Sequence, residues 1–467
     1  MTKTASLTAN QHHFLQNLFP GTDYLTTPEQ MLVFETDASR LTGVPLAVVR
    51  PQTEEQIVEL LRWAHTERIP LYPRARATNV VGLCVPEKPG IVISTLKMNR
   101  IIDVDADDFV AVVEPGIVTG DLQKHVEAMG LFYPPDPASF GISTIGGNVA
   151  TCAGGMRAVK YGVTREWVLG CRVVLPGGKV IECGGRNHKN VVGLDLTRLM
   201  VGSEGTLGVM SNITLKLMPK PEATASLMAG FSSLEDAMGA VSSVFRAGIL
   251  PTALEFMGAE VLDCLARLTT VPWPQGDNGA RAVLLFRLDG SEAALPHDLK
   301  RLHTALQNGQ NTPVWLEQGI GSEQEEPLWE IRRLINPASF YVAPNKISDD
   351  VTVPRGRLLT ALLGIRRIAD ESGLTILTFG HVGDGNIHVN VMHDASDPDQ
   401  KERAQKAKLA VMEHVLALRG TLSGEHGIGL TKAPYVHRQL GEEERRIMRD
   451  IKSAFDPHHI MNPGKAF

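Results

Sequence analysis

The pattern of apolar and polar positions predicts mixed α and β structure in the N-terminal half. The apolar runs LAVV, PLY and GIVIS, beginning near residue 46, predict short strands. Between the first two runs, TEEQIVELLRWAHTERI has the period of an amphipathic helix. Thr53 suits its N-cap, and Ile57, Leu60, Leu61 and Ala64 would share one buried face. Further on, PGG between two apolar runs predicts a hairpin turn.

The pattern changes at about residue 221. Helical segments such as SLEDAMGAVSSVFRAG then alternate with strand-like segments such as ALEFM, RAVLLFRL and LTILTFG. This alternation predicts a second, independent α+β domain. We therefore expect an α+β protein with domains at 1–220 and 221–420, followed by a C-terminal segment at 421–467.

Composition narrows the class of protein. The chain has 467 residues, of which 43% are apolar and 21% charged, with a net charge of -6. These values are typical of a globular protein with several domains and do not favour a nucleic-acid partner. No apolar stretch approaches the ~20 residues of a membrane span, and the N-terminus does not resemble a signal peptide. We expect a cytoplasmic protein and leave open peripheral attachment at the inner face of the membrane.

The middle of the chain is rich in glycine. Residues 134–162 read PPDPASFGISTIGGNVATCAGGMRAVKYG and contain six glycines. Such a segment is either a long irregular loop or a place where backbone N–H groups approach a phosphate closely. The G-x-G-x-x-G fingerprint is absent, so a Rossmann-type NAD site is not expected. The five cysteines are scattered and do not suggest an iron–sulfur cluster or a thiolate zinc site.

Two histidines flank a turn in LTFGHVGDGNIHVNVM. VGDGN is typical of a tight turn, so His381 and His388 would lie close together across a hairpin, with Asn390 on the face of His388. SGEHGIG adds Glu425 and His426 further along the chain. Two imidazoles and a carboxylate are a common donor set for a divalent metal, although paired histidines in a hairpin are more often surface or packing residues.

The order of these motifs resembles a known family. Pro73, Arg74, Thr78 and Gly82 are followed by PPDP, IGGNVAT-x-AGG, YG and GSEGTLGV. The order is similar to that of vanillyl-alcohol-oxidase-type FAD-binding domains, especially the D-lactate, glycolate and D-2-hydroxyglutarate dehydrogenases. The resemblance implies a two-subdomain FAD-binding domain at 1–220 and an α+β substrate domain with an antiparallel sheet at 221–420. The segment 421–467 would return to the FAD domain.

The resemblance also implies an FAD site built from loop backbone. The implied cofactor contacts are Pro73, Arg74, Ala75, Arg76, Ala77, Thr78, Asn79, Gly82, Pro135, Asp136, Ser143, Gly146, Gly147, Asn148, Thr151, Gly154, Gly155, Tyr161, Glu204, Gly205 and Asn462. Residues 74–79 would hold the pyrophosphate, Glu204 would lie near the adenine, and Asn462 would close over the flavin.

The first loop departs from the family pattern. The family writes it R-G-x-G-T, whereas this chain has alanine at both glycine positions, Ala75 and Ala77. If either position requires a positive φ, alanine costs on the order of 1 kcal/mol. A flavin-free accessory subunit of a glycolate-oxidase-type complex is therefore kept as an alternative.

The remaining implied roles concern the substrate. His381, His388 and Glu425 would bind the metal, most often zinc, with iron and manganese as alternatives. His426 would be the catalytic base; the competing assignment makes it a ligand. The residues implied to contact the substrate are Arg332, Lys346 and Asn390.

The implied reaction oxidises a short D-2-hydroxy acid. D-lactate is the first expectation and glycolate the second, and the flavin would pass its electrons to an electron-transfer flavoprotein, an iron–sulfur subunit or a quinone. Two alternatives stay open: an oxidase that uses O₂, and a D-2-hydroxyglutarate dehydrogenase. The longer dicarboxylate would need an extra cation, for which Arg333 stands next to Arg332.

Overall fold

The computed structural model describes residues 6–268, 279–307 and 311–466. The chain forms two compact units. The first unit comprises Met1–Gly155, Gly162–Lys220 and Glu425–Phe467, and the second comprises Met156–Tyr161 and Pro221–Gly424. Residues 156–161 lie inside the sequence range expected for the first domain, but they cluster with the second unit.

The secondary structure is evenly mixed. The helices are α1 (Ala9–Leu18), α2 (Pro28–Met31), α3 (Glu54–Glu67), α4 (Thr119–Glu127), α5 (Ile145–Thr151), α6 (Ala158–Tyr161), α7 (Leu196–Met200), α8 (Leu234–Arg246), α9 (Ala259–Leu265), α10 (Leu295–Gln307), α11 (Ser322–Arg333), α12 (Ile335–Ser339), α13 (Leu358–Ser372), α14 (Pro398–Ala417), α15 (Gly429–Lys432) and α16 (Glu442–Phe455). The strands are β1 (Tyr24–Leu25), β2 (Ala47–Val49), β3 (Leu71–Arg74), β4 (Ile91–Ser94), β5 (Ile101–Asp105), β6 (Val110–Val113), β7 (Leu131–Phe132), β8 (Val168–Val174), β9 (Val180–Gly184), β10 (Val209–Lys216), β11 (Met218–Pro219), β12 (Ala223–Phe231), β13 (Ala253–Gly258), β14 (Ala282–Gly290), β15 (Trp315–Ile320), β16 (Asn345–Thr352), β17 (Ile376–Gly380) and β18 (Asn386–His393).

A small, mainly parallel sheet opens the first unit. Its strand order is β1-β2-β4-β3, with β2, β4 and β3 parallel. Helix α3 forms as its sequence predicts, because the Thr53 side chain accepts the N–H of Gln56 and caps the helix. The apolar face of α3, with Ile57 and Leu60, is fully buried in the same core cluster as Leu71.

A second sheet in the first unit is antiparallel, in the order β5-β6-β10-β8-β9. Strands β8 and β9 form the predicted hairpin, closed by a hydrogen bond from the N–H of Leu175 to the carbonyl of Lys179. Burial alternates along β10, which shows that one of its faces packs inward. Together, the two sheets agree with the α+β fold class expected of an FAD-binding domain.

One antiparallel sheet organises the described part of the second unit. Its order is β15-β12-β14-β13-β17-β18-β16. Helices α8, α10, α13 and α14 cover one face, and α9, α11 and α12 pack on the other. The α+β class and the antiparallel sheet expected of this region are confirmed. None of the helices in the described ranges is both long enough and apolar enough to cross a membrane.

Candidate active site

A cavity in the first unit brings most of the predicted cofactor residues together. The predicted residues that line it are Pro73, Arg74, Ala75, Arg76, Ala77, Thr78, Asn79, Gly146, Gly147, Asn148, Thr151, Gly154, Glu204 and Gly205. Glu425 and His426 line the same cavity. The glycine-rich segment and the GEHG motif, which the sequence separates by about 270 residues, therefore meet at one place.

The other predicted cofactor residues are not part of the lining of this cavity. Those outside the described lining of this cavity are Gly82, Pro135, Asp136, Ser143, Gly155, Tyr161 and Asn462. Tyr161 belongs to the second unit, where its hydroxyl donates to Asp289 at 2.9 Å. Sequence reasoning also missed lining residues such as Thr95 and Pro115, which belong to none of the motifs.

Two glycines beside this cavity have no space for a side chain. A Cβ at Gly146 would lie 2.5 Å from the Cβ of Pro115, and one at Gly154 would lie 2.6 Å from Oε2 of Glu425. Neither position therefore accepts a side chain without displacing its neighbour. Both glycines are buried and allow the glycine-rich segment to pack closely against its neighbours. The rest of the lining is rich in alanine, glycine, serine and threonine, and such small residues leave room for a dinucleotide such as FAD.

The first loop contains one strained alanine. Ala77 has a φ of 53°, in the left-handed region, whereas Ala75 is not among the residues with positive φ. The departure from the family's glycines therefore matters at Ala77. The guanidinium of Arg74, a residue predicted to contact the pyrophosphate, donates to the carbonyls of Thr36 at 2.8 Å and Val33 at 2.7 Å. These two bonds connect the start of the first loop to residues 33–36.

Glu204 anchors the loop that carries His426. Its buried carboxylate accepts the N–H of Ile428 at 2.6 Å and that of Gly429 at 3.0 Å, and burial raises its pKa. Asn462 donates to the carbonyl of Glu204 at 2.7 Å. The side chains of Glu204 and Asn462, which were predicted to lie near the adenine and over the flavin, also link segments within the first unit.

The histidine hairpin forms in the second unit as predicted. His381 follows β17 and His388 lies on β18, and both are buried. Their Nε2 atoms are 3.4 Å apart, and their rings stand at 85° to each other. Two nitrogens that each bind a tetrahedral ion at about 2.0–2.1 Å are separated by about 3.3–3.4 Å. The pair therefore has the spacing of two ligands on one metal.

Gly424, the residue before Glu425, is hydrogen-bonded to a strand residue that pairs with His388. The N–H of Gly424 donates to Oδ2 of Asp350 at 2.6 Å, and Asp350 stands opposite His388 in the β16–β18 ladder. Glu425 is half-buried, and the sequence predicts it as the carboxylate ligand that accompanies the two imidazole nitrogens. A donor set of two histidines and one carboxylate suits zinc, and also iron or manganese.

Sequence reasoning missed Glu255 on β13. This side chain is fully buried, and its Oε1 lies 2.5 Å from Nδ1 of His381 while its Oε2 accepts Nε of Arg332 at 2.6 Å. Burial alone would raise the pKa of Glu255, but the neighbouring His381 and Arg332 lower it to about 2. The sequence does carry one indication of this role, because Glu255 is the single charged residue in the apolar strand ALEFMG. A buried charge needs hydrogen-bonding or charged partners.

Arg332 lies at the same centre as the histidines. Its Cζ is 4.9 Å from the centroid of the Phe379 ring, and that ring is 5.2 Å from the ring of His388. Apart from the bond to Glu255, the guanidinium makes no hydrogen bond within the described chain. Its two terminal amino groups can therefore bind a carboxylate. Arg333, by contrast, is half-exposed and pairs with Glu326.

The other predicted substrate residues lie along the same strands. Asn390 is buried on β18, two positions from His388. Lys346 stands opposite Met392, binds Oδ1 of Asn336 and lies 5.1 Å from the Phe340 ring. Its register places it four strand positions from the residue opposite His388, or about 13 Å along β16.

Comparison with known families covers nearly the whole chain. The family described as FAD linked oxidases, C-terminal domain, matches residues 220–466, and a FAD binding domain family matches residues 45–184. The chain belongs to the FAD-linked oxidase family. FAD is accordingly its cofactor, and the protein is an FAD-dependent oxidoreductase.

This FAD-linked oxidase has close relatives among curated proteins. It is 39% identical over 437 residues to glycolate oxidase subunit GlcD of Bacillus subtilis (strain 168), covering 93% of this chain and 92% of that protein. It is 35% identical to D-lactate dehydrogenase of Anaerostipes hadrus, covering 90% and 89%. A crystal structure of p-cresol methylhydroxylase with substrate bound shares the fold, with a TM-score of 0.81, 17% identity and coverage of 98% and 97%.

Proposed function

We propose that this FAD-linked oxidase is a metal-dependent dehydrogenase that oxidises a short D-2-hydroxy acid to the 2-oxo acid, D-lactate most readily and glycolate next. The observation that supports this most directly is the centre formed by His381, His388 and Arg332 in the second unit. A 2-hydroxy acid carries a hydroxyl and a carboxylate on adjacent carbons, and this centre offers a metal-binding pair beside a cation. The relatives named glycolate oxidase subunit and D-lactate dehydrogenase act on such acids.

Two groups supply the reactive chemistry. FAD would occupy the cavity lined by the 73–79 loop and the glycine-rich segment, and a divalent ion would be held by His381, His388 and Glu425. Bound FAD supplies a hydride acceptor, and a bound divalent ion supplies Lewis-acid chemistry that lowers the pKa of a hydroxyl group. Zinc is the first expectation for the ion, with iron and manganese next.

The chain's own residues bind the substrate and remove its proton. Arg332 holds the carboxylate with its two terminal amino groups, and Asn390 adds a polar contact. His426 lines the flavin cavity next to Glu425. Because adjacent side chains diverge, Glu425 can serve as a ligand while His426 takes the hydroxyl proton as general base.

The contacts of Arg333 favour a short acid. A second substrate carboxylate would need a second cation, and Arg333 is instead turned to Glu326 with about half of its side chain exposed. D-2-hydroxyglutarate is therefore the weaker candidate. The electron acceptor of this dehydrogenase would be a protein or a quinone, such as an electron-transfer flavoprotein or an iron–sulfur subunit.

Anaerobic reduction of the purified protein tests this proposal. The visible flavin band should bleach quickly with D-lactate, more slowly with glycolate, and far more slowly with L-lactate or D-2-hydroxyglutarate. Strong chelation should abolish bleaching while FAD stays bound. Equal rates with both lactate enantiomers would contradict the substrate assignment, and full reduction after verified metal removal would contradict the metal. Reoxidation by a dye or quinone but not by O₂ separates a dehydrogenase from an oxidase.

A further inference from the structure

We propose that Glu255 is a positioning residue that holds His381 and Arg332 in a fixed relation through the two oxygens of one carboxylate. This inference rests on the proposed function, because it assigns His381 to the metal and Arg332 to the substrate carboxylate. Glu255 touches neither the substrate nor the metal.

The position of Glu255 demands a specific role. It lies on β13 with no exposed surface, between the buried residues Leu254 and Phe256. A carboxylate in such a place is retained only where it is paired and hydrogen-bonded. Its partners are the two side chains that the proposed reaction needs.

One oxygen orients His381. Oε1 lies 2.5 Å from Nδ1, so the imidazole proton resides on Nδ1 and the lone pair is left on Nε2. That same Nε2 is the atom 3.4 Å from Nε2 of His388. A carboxylate on the far nitrogen of a ligating imidazole fixes the ring and increases its basicity, and loss of such a partner typically costs 10–100-fold in metal affinity.

The other oxygen orients Arg332. Oε2 accepts Nε at 2.6 Å, and the Phe379 ring lies against the guanidinium. These two contacts define the plane of the guanidinium and leave its terminal amino groups without a hydrogen bond to Glu255. The carboxylate anchor is thus set at a constant distance from the metal histidine.

This coupling has a consequence for selectivity. A 2-hydroxy acid presents its carboxylate and hydroxyl on neighbouring carbons, whereas a 3-hydroxy acid separates them by one more carbon. A rigid link between anchor and metal favours the shorter spacing. Loosening the link should therefore weaken the preference for 2-hydroxy over 3-hydroxy acids, as well as weakening metal binding.

The chain provides a matched control for Glu255. Glu325 on α11 is also fully buried in the second unit, where it accepts Nε of Arg287 at 2.9 Å and the hydroxyls of Thr224 and Ser226. It has no hydrogen bond to either histidine within the described chain. Glu325→Gln therefore reports the general cost of neutralising a buried carboxylate, and Glu255→Asp keeps the charge at position 255 with a shorter reach.

The experiment measures zinc affinity of the apo-metal, FAD-loaded protein by competition with a chelator. We expect Glu255→Gln to bind zinc 10–100-fold more weakly than wild type, Glu325→Gln to bind it like wild type, and Glu255→Asp to recover part of the loss. With excess zinc, Glu255→Gln should still show a raised KM for D-lactate and a smaller ratio of kcat/KM for D-lactate over 3-hydroxybutyrate.

The outcomes separate this inference from the proposed function. Wild-type zinc affinity in Glu255→Gln overturns the positioning role, and so does an equal loss in Glu325→Gln. Failure of the wild-type protein to bind any divalent metal overturns the proposed metal itself, and with it this inference. Thermal unfolding of the three variants, followed by circular dichroism, confirms that the proteins compared are folded.

Discussion

The side-chain carboxylate of Glu204 accepts the backbone N–H of Ile428 at 2.6 Å, although the two residues are 224 positions apart. A second bond, 3.0 Å long, runs from the N–H of Gly429 to the other oxygen. His426 precedes this pair by two residues. One buried carboxylate therefore fixes the start of α15 and, with it, the loop on which the proposed base lies.

Replacement of Glu204 by glutamine tests this anchor. The amide keeps one acceptor oxygen and turns an NH₂ group toward the second N–H, so one bond is lost and the His426 loop is displaced. We expect kcat to fall about 10- to 100-fold, because small misplacements of a catalytic group are that costly. FAD content should remain near wild type. Steady-state kinetics measure the change, and the exposed Glu443→Gln is the control; equal kcat in both variants would contradict the anchor.

His426→Ala distinguishes a base from a ligand. As the base, His426 is worth about 10²–10⁴ in kcat, and its loss should leave both flavin and metal content unchanged. The exposed His125→Ala is a matched surface control. Metal analysis of the purified variant decides the assignment: if the metal is lost along with the activity, His426 is a ligand.

Arg332→Ala removes the proposed substrate anchor. A charge-assisted hydrogen bond to the carboxylate is lost, which should cost about 2–3 kcal/mol, or roughly a hundredfold in kcat/KM for D-lactate. The neighbouring Arg333→Ala should behave like wild type, because Arg333 pairs with Glu326 at the surface. Equal effects of the two substitutions would place the carboxylate elsewhere.

The two alanines of the first loop should respond oppositely to glycine. Ala77 has a φ of 53°, so Ala77→Gly relieves strain of about 1–2 kcal/mol and offsets the entropy cost of glycine, about 0.5–1 kcal/mol. Ala75 does not have a positive φ, so Ala75→Gly relieves no strain and brings only the entropy cost of glycine. Denaturant unfolding should therefore rank Ala77→Gly as stable as wild type or more so, and Ala75→Gly as less stable. The reverse order would show that the strain at Ala77 is not significant.

Stability should rise in mildly alkaline solution because of Lys465. Its Nζ is buried, donating to the carbonyl of Val85 at 2.8 Å and to Oδ1 of Asn462 at 2.9 Å, and burial lowers its pKa from 10.5 to about 8. Between these two values the unfolded chain holds the proton more strongly, so the free energy of unfolding increases with pH.

The variant Lys465→Met lacks this group. From about pH 7 to about pH 10, the free energy of unfolding of wild type should therefore increase relative to that of the variant by roughly 2 kcal/mol. Urea unfolding at several pH values measures the difference. A difference that stays constant with pH would show that the buried amine keeps its ordinary pKa.

Local signals predicted local structure well. The Thr53 cap and the spacing of Ile57 and Leu60 predicted α3, and the VGDGN turn predicted the approach of His381 to His388. Both depend on residues close together in the chain, where period and turn chemistry are decisive.

Contacts between distant segments were not predictable in this way. Glu255 meets His381 across 126 positions, and no motif marks either the pairing or the strand register that produces it. Glu204 was predicted to lie near the adenine of FAD because its motif was known. Its side-chain partners, the N–H groups of Ile428 and Gly429, became evident only in the folded structure. Motifs indicated which residues matter, whereas hydrogen-bond partners required the fold.

The small helix α6 constrains how this protein can be recombined. Residues 156–161 lie within the sequence of the first unit yet cluster with the second, where Lys160 and Tyr161 both bind Asp289. A chimera that exchanges only Pro221–Gly424 with a relative would separate this helix from its own strand β14. The unit that carries the proposed substrate residues is therefore discontinuous in sequence, and domain exchange should transfer Met156–Tyr161 together with the larger segment.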